Sequence, residues 1–146
     1  MIAIGCDHAG ITLKEELKAH MRGQGLEVED LGIHEGKADY PVVALKVAQT
    51  IANGTCDQGL LLCGTGVGMS IAANKVRGIR AACCGEPYSA ILSRLHNDSN
   101  VLCMGARVVG TELAKMILDA WLASEFEGGR HATRVDMIRK MERKNL

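Results

Sequence analysis

The stretch Leu60-Leu61-Leu62-Cys63-Gly64-Thr65-Gly66-Val67-Gly68-Met69-Ser70 is a strand pattern that runs straight into a glycine-rich loop, with a thiol at the joint. Glycines let backbone N–H groups converge on an anion with no Cβ in the way. The pattern from Val67 to Lys75 predicts a helix, whose N-terminus adds partial positive charge at the same spot. A cysteine placed there is biased toward thiolate, which serves as a base or a nucleophile. Free cysteine is usually a small buried hydrophobe, and that reading suits Cys56, Cys83, Cys84 and Cys103. Cys63 differs because it ends a strand beside the glycines.

The loop lacks the Lys-Ser/Thr ending of a P-loop and the G-x-G-x-x-G spacing of a dinucleotide fingerprint. Tight packing alone explains many strand–helix glycine turns. Three alternating glycines exceed what a simple turn requires, so anion binding is the expectation.

Outward from this loop, short apolar strands alternate with helical patterns. Strands are predicted over Ile2 to Gly5, Leu26 to Asp30, Gly59 to Cys63, Ile79 to Cys83 and Asn100 to Met104. Helices are predicted over Ile11 to Gln24, Pro41 to Ala52, Val67 to Lys75, Pro87 to Leu95, Glu112 to Ser124 and Arg130 to Lys144. Pro41 and Pro87 suit first-turn positions, and Gly25 and Gly54 suit helix exits. Five strands with helices between them predict an α/β fold, a Rossmann-like three-layer sandwich with a parallel sheet covered on both faces. The expected strand order is 2-1-3-4-5, which has its switch point between the first and third strands. Cys6-Asp7-His8 and Cys63-Gly64-Thr65 would then face one crevice, where open sheets of this kind bind ligands.

The 146 residues suit one domain, 1–146, with a substantial core. Hydrophobic residues make up 47% and charged residues 23%, the balance of a soluble globule. Lysine and arginine match the acids 17 to 17, which argues against a broad nucleic-acid or membrane surface. One Trp, one Phe and two Tyr are too few for base-stacking platforms. No apolar run approaches the roughly 20 residues that span a bilayer, and the N-terminus opens on a strand pattern without a basic leader. The six cysteines form no C-x-x-C pair, so reduced thiols in a cytoplasmic protein are expected rather than a zinc site or disulfides.

Three further clusters carry polar chemistry. Asp7 either caps the following helix or, with His8, presents an acceptor and a switchable donor to a substrate. His96-Asn97-Asp98 is either a helix C-cap or a general acid–base with an amide partner. Arg130 and Arg134 share one helix face, which suits surface salt bridges or, after the flexible Gly128-Gly129, a phosphate that Arg107 could also reach. The last helix also carries Val135, Ile138 and Met141 at helical spacing, fitting a surface helix or an arm on a second subunit.

Taken together, Gly5-Cys6-Asp7-His8-Ala9-Gly10, Asp39-Tyr40-Pro41, Cys63 to Lys75, Arg94-Leu95-His96-Asn97-Asp98 and Gly128-Gly129-Arg130-His131 closely resemble the ribose-5-phosphate isomerase B family. The wider family includes isomerases of allose 6-phosphate and galactose 6-phosphate. The resemblance runs along almost the whole chain. It implies an aldose–ketose isomerase of the non-oxidative pentose phosphate pathway, working on a phosphorylated sugar with no metal and no organic cofactor. It also implies a homodimer, or a tetramer, with sites shared between subunits and the last helix serving dimerisation. Cys63 is then the base, His96 the ring-opening acid and Thr65 a proton relay. Asp7, His8, Tyr40, Gly64, Thr65, Gly66, Val67, Gly68, Asn97, Arg107, Arg130 and Arg134 are implied to hold substrate. In this scheme the glycine loop cradles an enediolate, and His8 and the arginines take the phosphate. One family branch uses a loop Glu as base; the matching residue here is Met69, which accepts no proton. The alternatives are an isomerase of a six-carbon sugar phosphate and, more remotely, a non-catalytic nucleotide-binding module on the same fold.

Overall fold

The computed structural model describes residues 1–144. The chain runs β1 (Ile2–Cys6), α1 (Ile11–Gly23), β2 (Val28–Asp30), α2 (Tyr40–Ala52), β3 (Gln58–Cys63), α3 (Val67–Ala73), β4 (Ala81–Cys83), α4 (Pro87–Asn97), β5 (Val101–Gly105), α5 (Thr111–Ala123) and α6 (Arg130–Arg143). All strand pairings are parallel. Pro41 and Pro87 lie in the first turns of α2 and α4. Gly25 and Gly54, each at φ +82°, follow α1 and α2 in the left-handed region that ends helices.

The sheet order is β2-β1-β3-β5-β4. The α/β class and the β1/β3 switch point are as expected, but the last two strands exchange places. The physical reason is burial. A strand paired on both sides and covered on both faces needs continuous apolar bulk. β5 supplies it with Val101, Leu102, Cys103 and Met104, all fully buried. β4 is three residues of Ala-Ala-Cys, half-exposed, and takes the edge.

Alternation along the strands divides the core into two layers. Ile2, Ile4, Leu60, Leu62, Leu102 and Met104 face α1, α4 and α5. Ala3, Leu61, Cys63, Val101 and Cys103 face α2 and α3. α2 approaches the sheet closely over two glycines. A Cβ on Gly5 would lie 2.7 Å from Val43 Cγ1, and one on Gly59 would lie 2.6 Å from Ile51 Cδ1. Trp121 of α5 is fully buried and donates through Nε1 to Ser99 Oγ at 2.9 Å, and Ser99 Oγ pairs with Ser93 Oγ of α4 at 2.9 Å. This polar chain joins α5, α4 and the approach to β5 inside the core.

One ion cluster ties α1 to the end of β2. The fully buried Lys14 ammonium bonds both carboxylate oxygens of Asp30, at 2.8 and 2.9 Å, and Lys18 adds a bond at 2.7 Å. Burial opposes ionisation of Asp30, but the hydrogen bonds from Lys14, Lys18 and the Gly32 N–H outweigh it and hold its pKa at about 2. A carboxyl depressed on folding adds stability above its unfolded value of 3.8, and that stability drains away as pH falls through about 2. Asp30→Asn takes from the buried Lys14 ammonium the carboxylate that binds it twice and leaves only the exposed Glu15, at 3.3 Å, so the variant should lose about 3 kcal/mol at neutral pH, read by denaturant unfolding. The difference between variant and parent should shrink as pH falls from 4 toward 2.

Candidate active site

The carboxyl ends of β1 and β3 meet at the switch point and open a crevice of about 420 Å³ lined by Asp7, Tyr40, Cys63, Gly64, Thr65, Val67, Gly68 and Ile71. Each strand end turns sharply to build it. After β1, Asp7 donates its N–H to Leu62 O at 3.1 Å and accepts the Ala9 N–H on Oδ1 at 2.9 Å. Its side chain therefore closes a local Asx turn. Of the two readings of Asp7, the helix cap is not formed: α1 begins after Gly10 with no side-chain cap.

After β3, the loop folds around sulfur. The Gly66 N–H donates to Cys63 Sγ at 3.1 Å, a donor aimed where a thiolate carries its charge. Val67 N–H goes to Thr65 Oγ1 at 3.2 Å. Two of the loop N–H groups from Gly64 to Gly68 are thus engaged within the loop. Gly66 holds φ +80°, and a Cβ there would lie 2.8 Å from the Met104 carbonyl carbon and 3.0 Å from Cys83 Sγ. A Cβ on Gly105 would lie 2.7 Å from the Thr65 carbonyl. The loop sits on the end of β5 with no space for a side chain between them. Gly68 makes room for Tyr40, whose ring would be 2.7 Å from a Cβ there.

Cys63 is 4% exposed and opens on the crevice rather than on free solvent. All six cysteines are free thiols. Cys56, Cys84 and Cys103 are buried as small hydrophobes, as expected. Cys83 departs from that expectation: it is exposed, and its thiol donates to Thr65 O at 3.5 Å, beneath the loop. Short β4 ends at Cys83 on the sheet edge, which leaves the thiol uncovered. Met69 is fully buried in the core under α3, so the glycine loop carries no carboxylate base.

The remaining expected site residues fall in two places. His8 is exposed on the turn after β1. Arg107 follows β5, donates its backbone N–H to Gly64 O at 3.1 Å and lays its guanidinium over Gly64, 3.4 Å from where a Cβ would be. Both belong to the Cys63 end of the sheet. His96 and Asn97 end α4, close before β5 begins. Cys63 pairs with Gly105 at the far end of β5, four residues beyond Val101, or about 13 Å along the strand. His96 and Asn97 therefore lie at the opposite edge of the sheet from the thiol.

Arg130 and Arg134, both exposed, open α6, which packs on α4. They cluster with His96 and not with Cys63. The turn that carries His96 and Asn97 is strongly held. Asp98 caps α4 in the left-handed region at φ +48°, and its carboxylate bonds Arg80 at 3.2 Å and Arg94 at 3.1 Å. Arg80 Nε also donates to Asn97 O at 3.0 Å. Beneath, the buried ring of His131 stacks on His96 at 4.0 Å. In the sequence His131 stands out only as the end of the Gly128-Gly129-Arg130-His131 motif. The available signal was its place four residues before the buried Val135, on the inner face of α6.

The comparisons with known proteins agree with this geometry. Residues 2–138 match the family model described as Ribose/Galactose Isomerase. Ribose-5-phosphate isomerase B of Escherichia coli is 58% identical over 144 residues, covering 98% of this chain and 97% of the relative. D-erythrulose-4-phosphate isomerase of Pectobacterium atrosepticum is 48% identical, covering 94% of this chain and 91% of the relative. Among solved structures, ribose-5-phosphate isomerase B of Clostridium thermocellum superimposes with a TM-score of 0.98 at 53% identity, covering 99% of both chains. A thiol at a β1/β3 switch point, the glycine loop built around it and a match along nearly the full length make one conclusion: this chain belongs to the ribose/galactose isomerase family.

Proposed function

We propose that this protein interconverts ribose 5-phosphate and ribulose 5-phosphate through a cis-enediolate, with Cys63 as the base. The observation that carries the reading is the Cys63 thiol at the crevice, with the Gly66 N–H on its sulfur and the Arg107 guanidinium over the adjoining Gly64. The names of the relatives, both isomerases of phosphorylated sugars, support the substrate class.

In this mechanism His96 gives a proton to the ring oxygen, the C1–ring-oxygen bond breaks and the anomeric hydroxyl releases its proton to water, so the furanose opens to the aldehyde. Asp7 and Asn97 orient hydroxyls. Cys63, as thiolate, removes the proton from C2, and the electron pair moves to form the enediolate. Loop N–H groups not used inside the loop stabilise the charge that develops on oxygen. Thr65 moves a proton between O1 and O2, and Cys63 returns its proton to C1. The thiol acts only as a base, so no covalent intermediate forms. His8, Arg107, Arg130 and Arg134 bind the phosphate, where guanidinium forks match its oxygens.

The separation of His96 and the α6 arginines from Cys63 supports a site completed by a second copy of the chain. One protomer supplies the crevice, and its partner supplies the His96, Asn97, Arg130 and Arg134 cluster. The surface chemistry suits such a dimer. Val42, Leu45, Val67 and Ile71 are exposed beside the crevice on α2 and α3, and Met137, Ile138 and Met141 are exposed along α6. Isologous pairing would cover both apolar faces at once.

Cys63→Ala should abolish turnover while ribose 5-phosphate still binds, measured by a coupled ketose assay and by calorimetry. Full turnover by this variant would refute the base assignment. Arg134→Ala should raise KM about tenfold or more with a smaller change in kcat, as loss of a charged phosphate contact predicts. Mixing inactive Cys63→Ala and His96→Ala proteins, with subunit exchange, should restore about a quarter of parental activity, because half of the sites in a mixed dimer escape both substitutions. No recovery after verified exchange would mean that each chain builds its site alone.

A further inference from the structure

His131 is the most confined polar side chain at the contact between α4 and α6. It is 4% exposed, and its Nε2 is buried with no hydrogen-bond partner among the described residues. Buried polar nitrogens ordinarily find partners, so an orphan calls for an explanation. The ring spends its contact on another imidazole. It lies flat on His96, with centroids 4.0 Å apart and planes 11° from parallel. Two imidazolium rings would repel at that distance, so the stack needs at least one neutral member. Burial, together with the charges of His96, Arg130 and Arg134, pushes proton binding by His131 down, against the opposing pull of Glu127. A neutral ring also suits the orphan atom, since a bare nitrogen lone pair is cheaper to bury than a charged N–H.

The location gives the stack a consequence. His131 directly follows Arg130 and precedes Arg134 by three residues, at the start of the same helix. The stack therefore joins the helix that bears the two arginines to the last turn of α4, which bears His96. In the proposed reaction those groups hold two points of one substrate, the phosphate and the ring oxygen. Their separation must match the sugar. We infer that His131 is a positioning residue: its ring holds the His96 imidazole at a set angle and a set distance from Arg130 and Arg134, and it touches no reacting atom. This inference rests on the assignment of His96 and the arginines in the proposed reaction.

The test compares three substitutions in the full-length protein, His131→Ala, His131→Leu and His131→Phe. Loss of the stack lets His96 rotate away from a reactive alignment, an error that costs turnover more than affinity. His131→Ala and His131→Leu should each lower kcat about tenfold to a hundredfold, with KM within about twofold of the parent. His131→Phe restores a flat ring, and its kcat should return to within about threefold of the parent. A double variant, His96→Ala with His131→Leu, should be no slower than His96→Ala alone, because the positioning residue has nothing left to position.

Parental kcat in His131→Leu would overturn the inference, and so would a kcat in His131→Phe as low as in His131→Leu. If His131→Ala fails to fold, the Leu and Phe pair carries the comparison, with melting temperatures as the folding control. The outcomes separate the two levels of the argument. Parental activity in His96→Ala would refute the role of His96 itself. An inactive His96→Ala beside a fully active His131→Leu would refute the positioning role alone.

Discussion

The site depends on one close approach. The loop after Cys63 rests on the end of β5, and each segment presses a glycine, Gly66 or Gly105, against main-chain atoms of the other. At Gly66 and Gly105 any Cβ would fall 2.7–2.8 Å from main-chain atoms of the other segment. Backbone cannot yield as the tip of a side chain can, so these two positions tie the loop to the sheet. From that contact follow the left-handed turn at Gly66, the start of α3 and the N–H that reaches Cys63 Sγ. The crevice, the thiol and the donor are products of the same constraint.

Much of this was legible in the sequence, for local reasons. The strand-to-loop pattern at Leu60 to Gly68 located β3 and the turn, because glycine spacing and apolar runs are local signals. Pro41 and Pro87 marked the first turns of α2 and α4 for the same reason. Strand order was not legible from chain order, since the β4–α4–β5 crossover can lead inward or outward. Side-chain bulk held the missing information: β5 has the continuous apolar run of an interior strand, and Ala81-Ala82-Cys83 does not. Asp7 illustrates a different limit. A short acid before a helix suits both a cap and an Asx turn, and only the three-dimensional path of the chain decides between them.

The candidate site was legible as a set of residues but not as a place. Motif spacing brings Cys63, His96 and the arginines into one family pattern. Parallel topology then sends His96 to the amino edge of the sheet, while Cys63 stays at the carboxyl edge. No local signal reports this separation. It follows from helices running opposite to the strands they connect, so residues ending α4 always lie a full strand length from residues ending β5. The Arg80–Asp98–Arg94 clamp and the His131 stack give the distant cluster its own rigidity.

The single tryptophan adds an optical dimension to this arrangement. Trp121 is the only indole in the chain and has no solvent exposure, so its emission belongs to one dry environment. Arg94 lies over the ring at 5.8 Å, and the same guanidinium binds Asp98. The indole nitrogen bonds Ser99, the residue that follows Asp98. The fluorophore is thereby wired to the turn that carries His96 and Asn97, while the thiol lies at the other end of the sheet. Emission excited at the red edge, where only the indole absorbs and Tyr40 beside Gly68 does not, is a local gauge of that turn, readable without a label.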